Sequence, residues 1–270
     1  MANNKVVYNN QTLIDLTGDD VTAADVAQGK IFHLPSGEQA TGTASGGGGG
    51  DTLYDAYTQT GFTYENTDMT SIYAYMFAKS KLASLNTPNV LTVDQLAFYQ
   101  CTALESISLP LCTSIGSQSF YGCSNLRTLD LPELVTFTGG NAFYNSGLTH
   151  INLPKLETTS FNTFTGCRSL QTAVLPSVIG ALGSSIFQNC TSLASVKVGP
   201  ITSIGTQAFR SCSACLEYDF TSCTVVPTIT NVNVFTGINA NAQIKVPASL
   251  EADWKAANYW STYASHIVGV

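Results

Sequence analysis

The stretch Phe120-Tyr-Gly-Cys-Ser-Asn-Leu-Arg-Thr-Leu-Asp-Leu-Pro132 decides the fold, because the chain repeats this pattern about every 22 residues. The repeat phenylalanines are Phe77, Phe98, Phe120, Phe143, Phe164, Phe187, Phe209 and Phe235. A leucine column contains Leu82, Leu104, Leu126, Leu148, Leu170, Leu193 and Leu216, and a proline column runs from Pro88 to Pro200. Fixed-period self-similarity of this length predicts a solenoid, and solenoids mostly act by presenting a long regular surface to a partner.

Within one unit, apolar and polar residues alternate as they do in a β-strand with one buried face. Ile107 and Leu109 are predicted to point into the core, and Ser106 and Ser108 to point outward. Pro110 ends the strand because proline has no N–H to donate to a neighbouring strand. After the proline, the chain is expected to re-enter the core at Leu111, Leu134, Leu156 and Val178, with Cys112 as a neighbouring filler. One unit buries too little apolar surface to offset the entropy of ordering it, so units must stack.

The eight cysteines follow the repeat and predict free thiols packed in the core. Five of them lie three residues after the repeat phenylalanine, and serine takes this place in two further units: Cys101, Cys123, Cys167, Cys190, Cys212, Ser80 and Ser146. A position that accepts either Cys or Ser favours a small buried side chain. The alternatives are a Cys215–Cys223 disulfide and a zinc site at Cys212-x-x-Cys215, although a second pair of zinc ligands is missing.

The composition narrows the range of partners. The chain has a net charge of −7 and only 11% charged residues, and its 11 Lys and Arg form no basic stripe. This pattern argues against binding to nucleic acid or to an anionic membrane. A run of about 18 apolar residues, which a membrane span requires, does not occur. Residues 1–20 also lack the basic start and apolar run of a secretory signal peptide.

The repeat is missing from residues 1–44, which are predicted to form a small β-rich attachment or oligomerisation module. This module contains few apolar residues and no cysteine. A unit of this size needs a partner or oligomerisation to be stable. Its strands are expected at 6–8, 12–16, 31–34 and 39–43, and a short helix at 22–29.

Three further parts follow the module. Residues 45–50 are predicted to be a glycine-rich linker, because the Lys and Ser/Thr that end a phosphate-binding loop are missing. Residues 51–246 are predicted to form the solenoid, whose last full strand at 216–220 has an altered phase. Residues 247–270 are predicted to cap it, with Ser249 as the N-cap of a helix and Trp254 on its buried face.

No set of residues has the spacing of a catalytic centre. His33, His150 and His266 lie in three different regions and predict no Ser-His-Asp or Cys-His set. The carboxylates are dispersed and do not predict the close pair that glycoside hydrolysis requires. The sequence therefore predicts no catalytic residue, no metal site and no cofactor, and a protein that is not an enzyme.

The outward face of the predicted strands is the candidate binding surface. Its short neutral side chains lose little conformational entropy on binding and can hydrogen-bond to proteins or glycans. The candidate ligand-binding residues are Ser106, Ser108, Thr128, Asp130, His150, Asn152, Thr172, Ser195 and Lys197. One alternative is a merely solvated sheet face, since Trp and Tyr anchors are missing from it. Another is a rival binding edge on the loops of Tyr99, Tyr121, Tyr144 and Arg210.

The unit from Phe120 to Pro132, and those that begin at Phe98, Phe164 and Phe187, resemble the BspA-like leucine-rich repeat. The tail at 216–220, 246–247 and 254–263 is similar to the segment that often ends such chains in gut bacteria and their prophages. The resemblance covers residues 69–270. It implies a curved, mainly β leucine-rich-repeat solenoid with a helical cap, and a function in adhesion or protein binding.

The start of the chain, Val7-Tyr8-Asn9 with residues 12–17 and Gly42-Thr43, resembles short modules of phage tail and other virion proteins. It implies that residues 1–44 dock onto other virion proteins or form a homo-oligomer. The expected function is recognition of a cell-surface protein or glycan by a phage or prophage particle, with the protein located in the virion. The alternative is a soluble protein–protein interaction scaffold in the bacterial cytoplasm.

Overall fold

The computed structural model of the chain describes residues 5–8, 11–15, 31–33, 39–41 and 53–270. Two antiparallel hairpins lie in the first part: β1 (Lys5–Tyr8) pairs with β2 (Gln11–Asp15), and β3 (Ile31–His33) with β4 (Gln39–Thr41). These pairings confirm the four predicted strands. The predicted helix at 22–29 and the predicted linker at 45–50 lie outside the described residues.

From residue 53 onward the chain forms a β-solenoid of about 9 coils, which confirms the predicted fold class. A helix, α1 (Leu53–Thr58), precedes the first coil. Each coil contributes a strand to the long-strand sheet, which contains β5 (Phe62–Glu65), β7 (Leu82–Asn86), β9 (Ser106–Ser108), β11 (Thr128–Asp130), β13 (His150–Asn152), β14 (Thr172–Leu175), β16 (Ser195–Val198), β18 (Glu217–Asp219), β20 (Gln243–Val246) and β21 (Ile267–Gly269). The paired strands in it are parallel, as expected when each coil repeats the path of the last.

A second set of strands, the short-strand sheet, lies between the proline turn and the repeat phenylalanine. It contains β6 (Ser71–Ile72), β8 (Thr92–Val93), β10 (Ser114–Ile115), β12 (Thr136–Phe137), β15 (Gly180–Leu182), β17 (Ile201–Ile204) and β19 (Thr228–Ile229). In the two-residue strands β6, β8 and β10, the second residue points into the core and the first points outward. The inward residues are Ile72, Val93 and Ile115. The two sheets therefore enclose one core that runs the length of the solenoid.

The repeat phenylalanines form a continuous stack through this core. All eight rings are fully buried. Successive ring centroids lie 4.8–5.7 Å apart, and neighbouring ring planes differ by 2–15°. The stack repeats with the spacing of neighbouring strands, about 4.8 Å. Each phenylalanine is therefore buried by the coils before and after it.

The predicted thiol column is confirmed and carries a regular hydrogen bond. Each of the five cysteines donates from Sγ to the backbone carbonyl oxygen of a repeat phenylalanine in the preceding coil, at 2.7–3.1 Å. Ser80 and Ser146 lie in the same column, 3.4 Å from Cys101 Sγ and 3.2 Å from Cys167 Sγ respectively. A small donor is therefore what this position requires.

The prediction that Leu111 enters the core was wrong. Leu111 is 45% exposed, whereas Cys112 is fully buried in the column that Leu134 and Leu156 occupy. The register of the coils explains the difference, because Cys112 and Leu134 both follow the proline by two residues and Leu111 follows it by one.

The prediction that Leu216 belongs to the buried leucine column was also wrong. Leu216 is 51% exposed, and Cys215 takes its place in the leucine column with no exposed surface. Tyr218 then pairs in register with Val196 on one side and Ile244 on the other. The strand at 216–220 therefore keeps the phase of the repeat, contrary to the prediction.

One irregular coil lies between Phe137 and Phe143, where the chain contains an extra residue. Phe137 nevertheless pairs in register with Ile115, and Phe143 stacks 4.9 Å from Phe120. The insertion is therefore a local bulge, as predicted. The long-strand ladder is interrupted between β7 and β9 and again in this coil, between β11 and β13, where Thr149 N and Oγ1 both donate to Arg127 O, at 3.3 and 3.2 Å.

The end of the chain covers the last coil. The helix α2 (Glu251–Ala256) and the 3-10 turn Trp260–Tyr263 bring Trp254 and Trp260 into contact, with ring centroids 4.6 Å apart. Trp260 Nε1 donates to Pro227 O at 2.7 Å. The helix begins at Glu251 after the 3-10 turn Ala248–Leu250, and no side chain caps it, so the prediction of Ser249 as N-cap was wrong. In the part of the chain that the structure describes, every helix falls short of the length and apolar character that crossing a bilayer requires.

Candidate functional site

The nine candidate residues lie in two parallel rows on the solvent-facing side of the long-strand sheet, which we call the strand rows. The first row contains Ser106, Thr128, His150, Thr172 and Ser195, and the second contains Ser108, Asp130, Asn152 and Lys197. Val174 completes the second row between Asn152 and Lys197. Every row residue is exposed or half-buried, and the residues between the rows face the core. The alternation of the strand explains this placement.

The strand rows become charged toward the C-terminus. Glu217 continues the first row and Asp219 the second, and Lys245 follows Asp219 in register. Lys197 Nζ lies 2.8 Å from Asp219 Oδ2, and Lys245 Nζ lies 2.7 Å from Glu217 Oε2. These two ion pairs were not predicted, although alignment of Cys215 with the leucine column would have placed both carboxylates in the rows.

Lys197 is therefore a paired cation and not a free one. Partial burial opposes ionisation of Asp219, but hydrogen bonds from Lys197 Nζ and from the Thr221 hydroxyl and amide outweigh it and lower the pKa of that carboxyl. The shift stabilises the carboxylate that holds Lys197 in place. This end of the rows is thus fixed by its own charge pairs.

Apart from the Asp130 carboxylate, the middle of the strand rows consists of short polar side chains and His150. Asp130 accepts a hydrogen bond from Ser108 Oγ at 2.9 Å, and His150 Nδ1 lies 3.1 Å from Thr149 Oγ1. Thr128, His150 and Asn152 are exposed. Small hydroxyl and amide groups of this kind can donate and accept hydrogen bonds with little ordering cost.

The rival edge is only partly assembled. Tyr99, Tyr121 and Tyr144 stack on one another, with centroids 5.3 and 4.9 Å apart, and are half-buried. Burial, together with the neighbouring Tyr144 and Tyr99, raises the pKa of Tyr121. Arg210 lies three coils beyond Tyr144, so the structure does not bring it to the tyrosines.

The thiols lack the properties of metal ligands or nucleophiles. All eight are free and buried. Burial raises the pKa of Cys112, Cys215 and Cys223 to about 11 and that of Cys167 to about 12, so these thiols stay protonated at neutral pH. Within the described ranges, no group of three or more His, Cys, Asp or Glu side chains is placed to hold a metal ion.

Comparison with solved structures finds other leucine-rich repeat proteins. A leucine-rich repeat protein of T. pallidum is 27% identical, with 59% of this chain and 69% of that chain covered and a TM-score of 0.46. A leucine-rich cell surface protein of Faecalibacterium prausnitzii is 20% identical, with 73% and 75% covered and a TM-score of 0.39. No curated protein matches the chain.

The pattern of a known repeat family matches most of the solenoid. The family is described as a BspA type leucine-rich repeat region, and six copies of its repeat match residues 59–112 and 92–216. These two ranges overlap and together cover more than half of the 270 residues. Apart from Phe235, the repeat columns described above lie within them. The chain therefore belongs to the BspA-type leucine-rich repeat family.

Proposed function

We propose that this protein is a phage or prophage receptor-recognition protein that binds a cell-surface protein or glycan through the strand rows. Leucine-rich repeat proteins are in general protein-binding or adhesion proteins, and families of this type are typically non-enzymatic. The observation that carries the proposal is the pair of polar rows, in which hydrogen-bonding side chains repeat at the strand spacing of about 4.8 Å.

The middle of the rows is where a ligand would bind most closely. Thr128, His150 and Asn152 are exposed, and the charged groups farther along are already paired with one another. A ligand that binds there displaces water from these side chains. Its own hydrogen bonds to them can replace the ones that the water made. Because aromatic anchors are missing from this part of the rows, we expect modest affinity for each contact and a large contact area.

The test uses the labelled full chain and intact gut bacterial cells. Thr128→Arg places a long charged side chain in the middle of the rows and should lower cell binding about tenfold or more, the size of one hot spot. Thr191→Arg is the matched control, because Thr191 is equally exposed on a loop outside the rows. Equal binding by both variants, or no cell binding by the unmodified chain, would contradict the proposal.

The second candidate function is a soluble bacterial interaction scaffold, and the sequence of residues 1–44 is what disfavours it. We expect that module to hold the protein in a virion through docking or homo-oligomerisation. Light scattering of the full chain, compared with a chain that begins at residue 51, measures the difference. A full chain that is strictly monomeric and joins no virion protein would favour the scaffold.

A further inference from the structure

A shallow groove of about 450 Å³ lies along the short-strand sheet, away from the strand rows. It crosses the coils that contain β6, β8, β10 and β12 and opens to solvent. Most of its lining side chains are polar and uncharged, with one carboxylate among them: Thr92, Asp94, Gln95, Ser114, Ser117 and Thr138.

A glycine creates the floor of this groove. A Cβ atom added at Gly116 would lie 2.4 Å from Gln95 N and 2.6 Å from the Asp94 carbonyl carbon, which no real side chain tolerates. The coil of Gly116 therefore approaches the preceding coil more closely than a side chain would allow. Ser117 Oγ donates to Gly140 O at 3.0 Å and joins the floor to the next coil.

Two exposed aromatic side chains flank the groove without lining it, one in its first coil and one in the coil just beyond its last. Tyr73 directly follows Ile72, which pairs with Val93, so Tyr73 lies beside Asp94 in the neighbouring coil, and it is 63% exposed. Beyond the other end, Phe161 is 52% exposed. Its ring covers Gly140, where an added Cβ would lie 2.3 Å from the ring.

The hydrogen-bonding groups between these rings are available to a ligand. Asp94 and Gln95 are exposed, and among the described residues their side chains hydrogen-bond to no other group. The backbone around them is well held, since Asp94 N donates to Ile72 O at 2.8 Å and Gly116 N to Val93 O at 2.7 Å. The groove therefore combines a fixed backbone with free polar side chains, as preformed ligand sites do.

We infer that this groove binds a neutral oligosaccharide, with Tyr73 and Phe161 against the apolar faces of two sugar rings and Asp94 and Gln95 bonded to their hydroxyl groups. Sugar rings have an apolar C–H face that packs on aromatic rings, and paired hydroxyls match a carboxylate or an amide. From the coil of Tyr73 to that of Phe161 the solenoid advances four strand spacings, about 19 Å, which is enough for several sugar units.

The lining disfavours other classes of ligand. None of the lining residues is Lys, Arg or His, so a phosphate, sulfate or acidic sugar would meet the Asp94 carboxylate without a compensating cation. An extended peptide needs apolar pockets for its side chains. The floor of Gly116 and Ser117 offers no such pocket.

This inference rests on the proposed function only in its general form, that the solenoid binds a ligand.

The test of this inference begins with the full chain on an array of neutral and acidic glycans. The neutral tetrasaccharide that binds best is then titrated by calorimetry into the full chain and its variants. Asp94→Asn should weaken binding about tenfold, the loss expected for one hydrogen bond to a charged group.

Removal of the two flanking aromatic rings tests their contribution to binding. Tyr73→Ala and Phe161→Ala should each weaken the same titration by several-fold, because each removes a stacking surface. Asp253→Asn and Tyr259→Ala are matched controls, since both residues are exposed near the C-terminal end, and their binding should equal that of the unmodified chain. A thermal melt of each variant shows whether it is folded.

The outcomes separate this inference from the proposed function. Failure of every neutral glycan to bind, stronger binding of acidic glycans, or unchanged affinity in the groove variants would overturn the inference. If Thr128→Arg abolishes cell binding while the groove variants bind cells and the glycan as the unmodified chain does, the strand rows are the site and the groove is not. Glycan binding that depends on Asp94 without any cell binding would support the groove and contradict receptor recognition.

Discussion

Cysteine and leucine compete for the same core positions in this chain, and register between coils decides which one is buried. Cys112 and Cys215 are fully buried, while the neighbouring Leu111 and Leu216 are exposed. Leu111 and Leu216 were the residues predicted to be buried. Two adjacent residues of a strand or turn point in different directions, and hydrogen bonds to the neighbouring coil fix the direction. The column of Phe120 was predictable because phenylalanine recurs there in every full unit.

A pair of alanine variants tests this register at single residues. Leu134→Ala should lower the free energy of unfolding by about 2–5 kcal/mol, since Leu134 is fully buried and its removal leaves a cavity. Leu111→Ala should change it by no more than about 0.5 kcal/mol, as for other exposed positions. Urea denaturation measures both. Similar losses for the two variants would show that the register assigned to the proline turn is wrong.

At the scale of strands and columns, alternation was enough to predict the strand rows. Ser106 and Ser108 flank the buried Ile107, and the same pattern places the corresponding residues of later coils on one face. The paired acids Glu217 and Asp219 were not predicted, because they enter the rows only when Cys215 is aligned with the leucine column. Ion pairs between coils depend on register, which a single strand does not reveal.

The thiol columns predict a marked loss of stability at alkaline pH. Burial raises the pKa of these cysteines, at Cys101 to about 11, whereas an unfolded thiol has a pKa of about 8.5. Above the unfolded pKa, the unfolded chain loses protons that the folded chain keeps, so the free energy of unfolding falls as pH rises. Each buried thiol contributes about 1.4 kcal/mol per pH unit until its folded pKa is reached.

Urea denaturation between pH 7 and pH 10 measures this slope. The double variant Cys123→Ser, Cys190→Ser is the control, because Ser80 and Ser146 show that serine fits the column and serine does not ionise in this range. Above about pH 8.5, where the unfolded thiols ionise, the free energy of unfolding of the control should fall less steeply with pH, by about 3 kcal/mol per unit for the two thiols removed. A slope that is the same in both proteins would mean that the thiols are not buried as neutral groups.

At the scale of the whole molecule, the repeat period was sufficient to predict a solenoid with a cap, because a fixed period places like side chains in columns. It was not sufficient to predict the groove beside Asp94. That groove depends on how closely Gly116 approaches the preceding coil, and the ring beyond its end depends on how the Phe161 side chain packs against Gly140. Both are properties of packing between coils. Surface features that depend on packing between coils are therefore harder to predict from the sequence than the core.

The most direct measurement of the whole account is the removal of one complete coil. The central claim is that every coil is completed by its neighbours and that the coils share one register. Deletion of residues 104–125 joins Ala103 to Leu126 and restores the distance from Phe98 to the next leucine of the column. The shortened chain should keep its β-sheet circular dichroism and unfold in a single transition at a lower urea concentration. Deletion of residues 104–114 is the control, since it joins two coils out of register, and that chain should be unfolded. Folding of both chains, or of the second alone, would contradict the account.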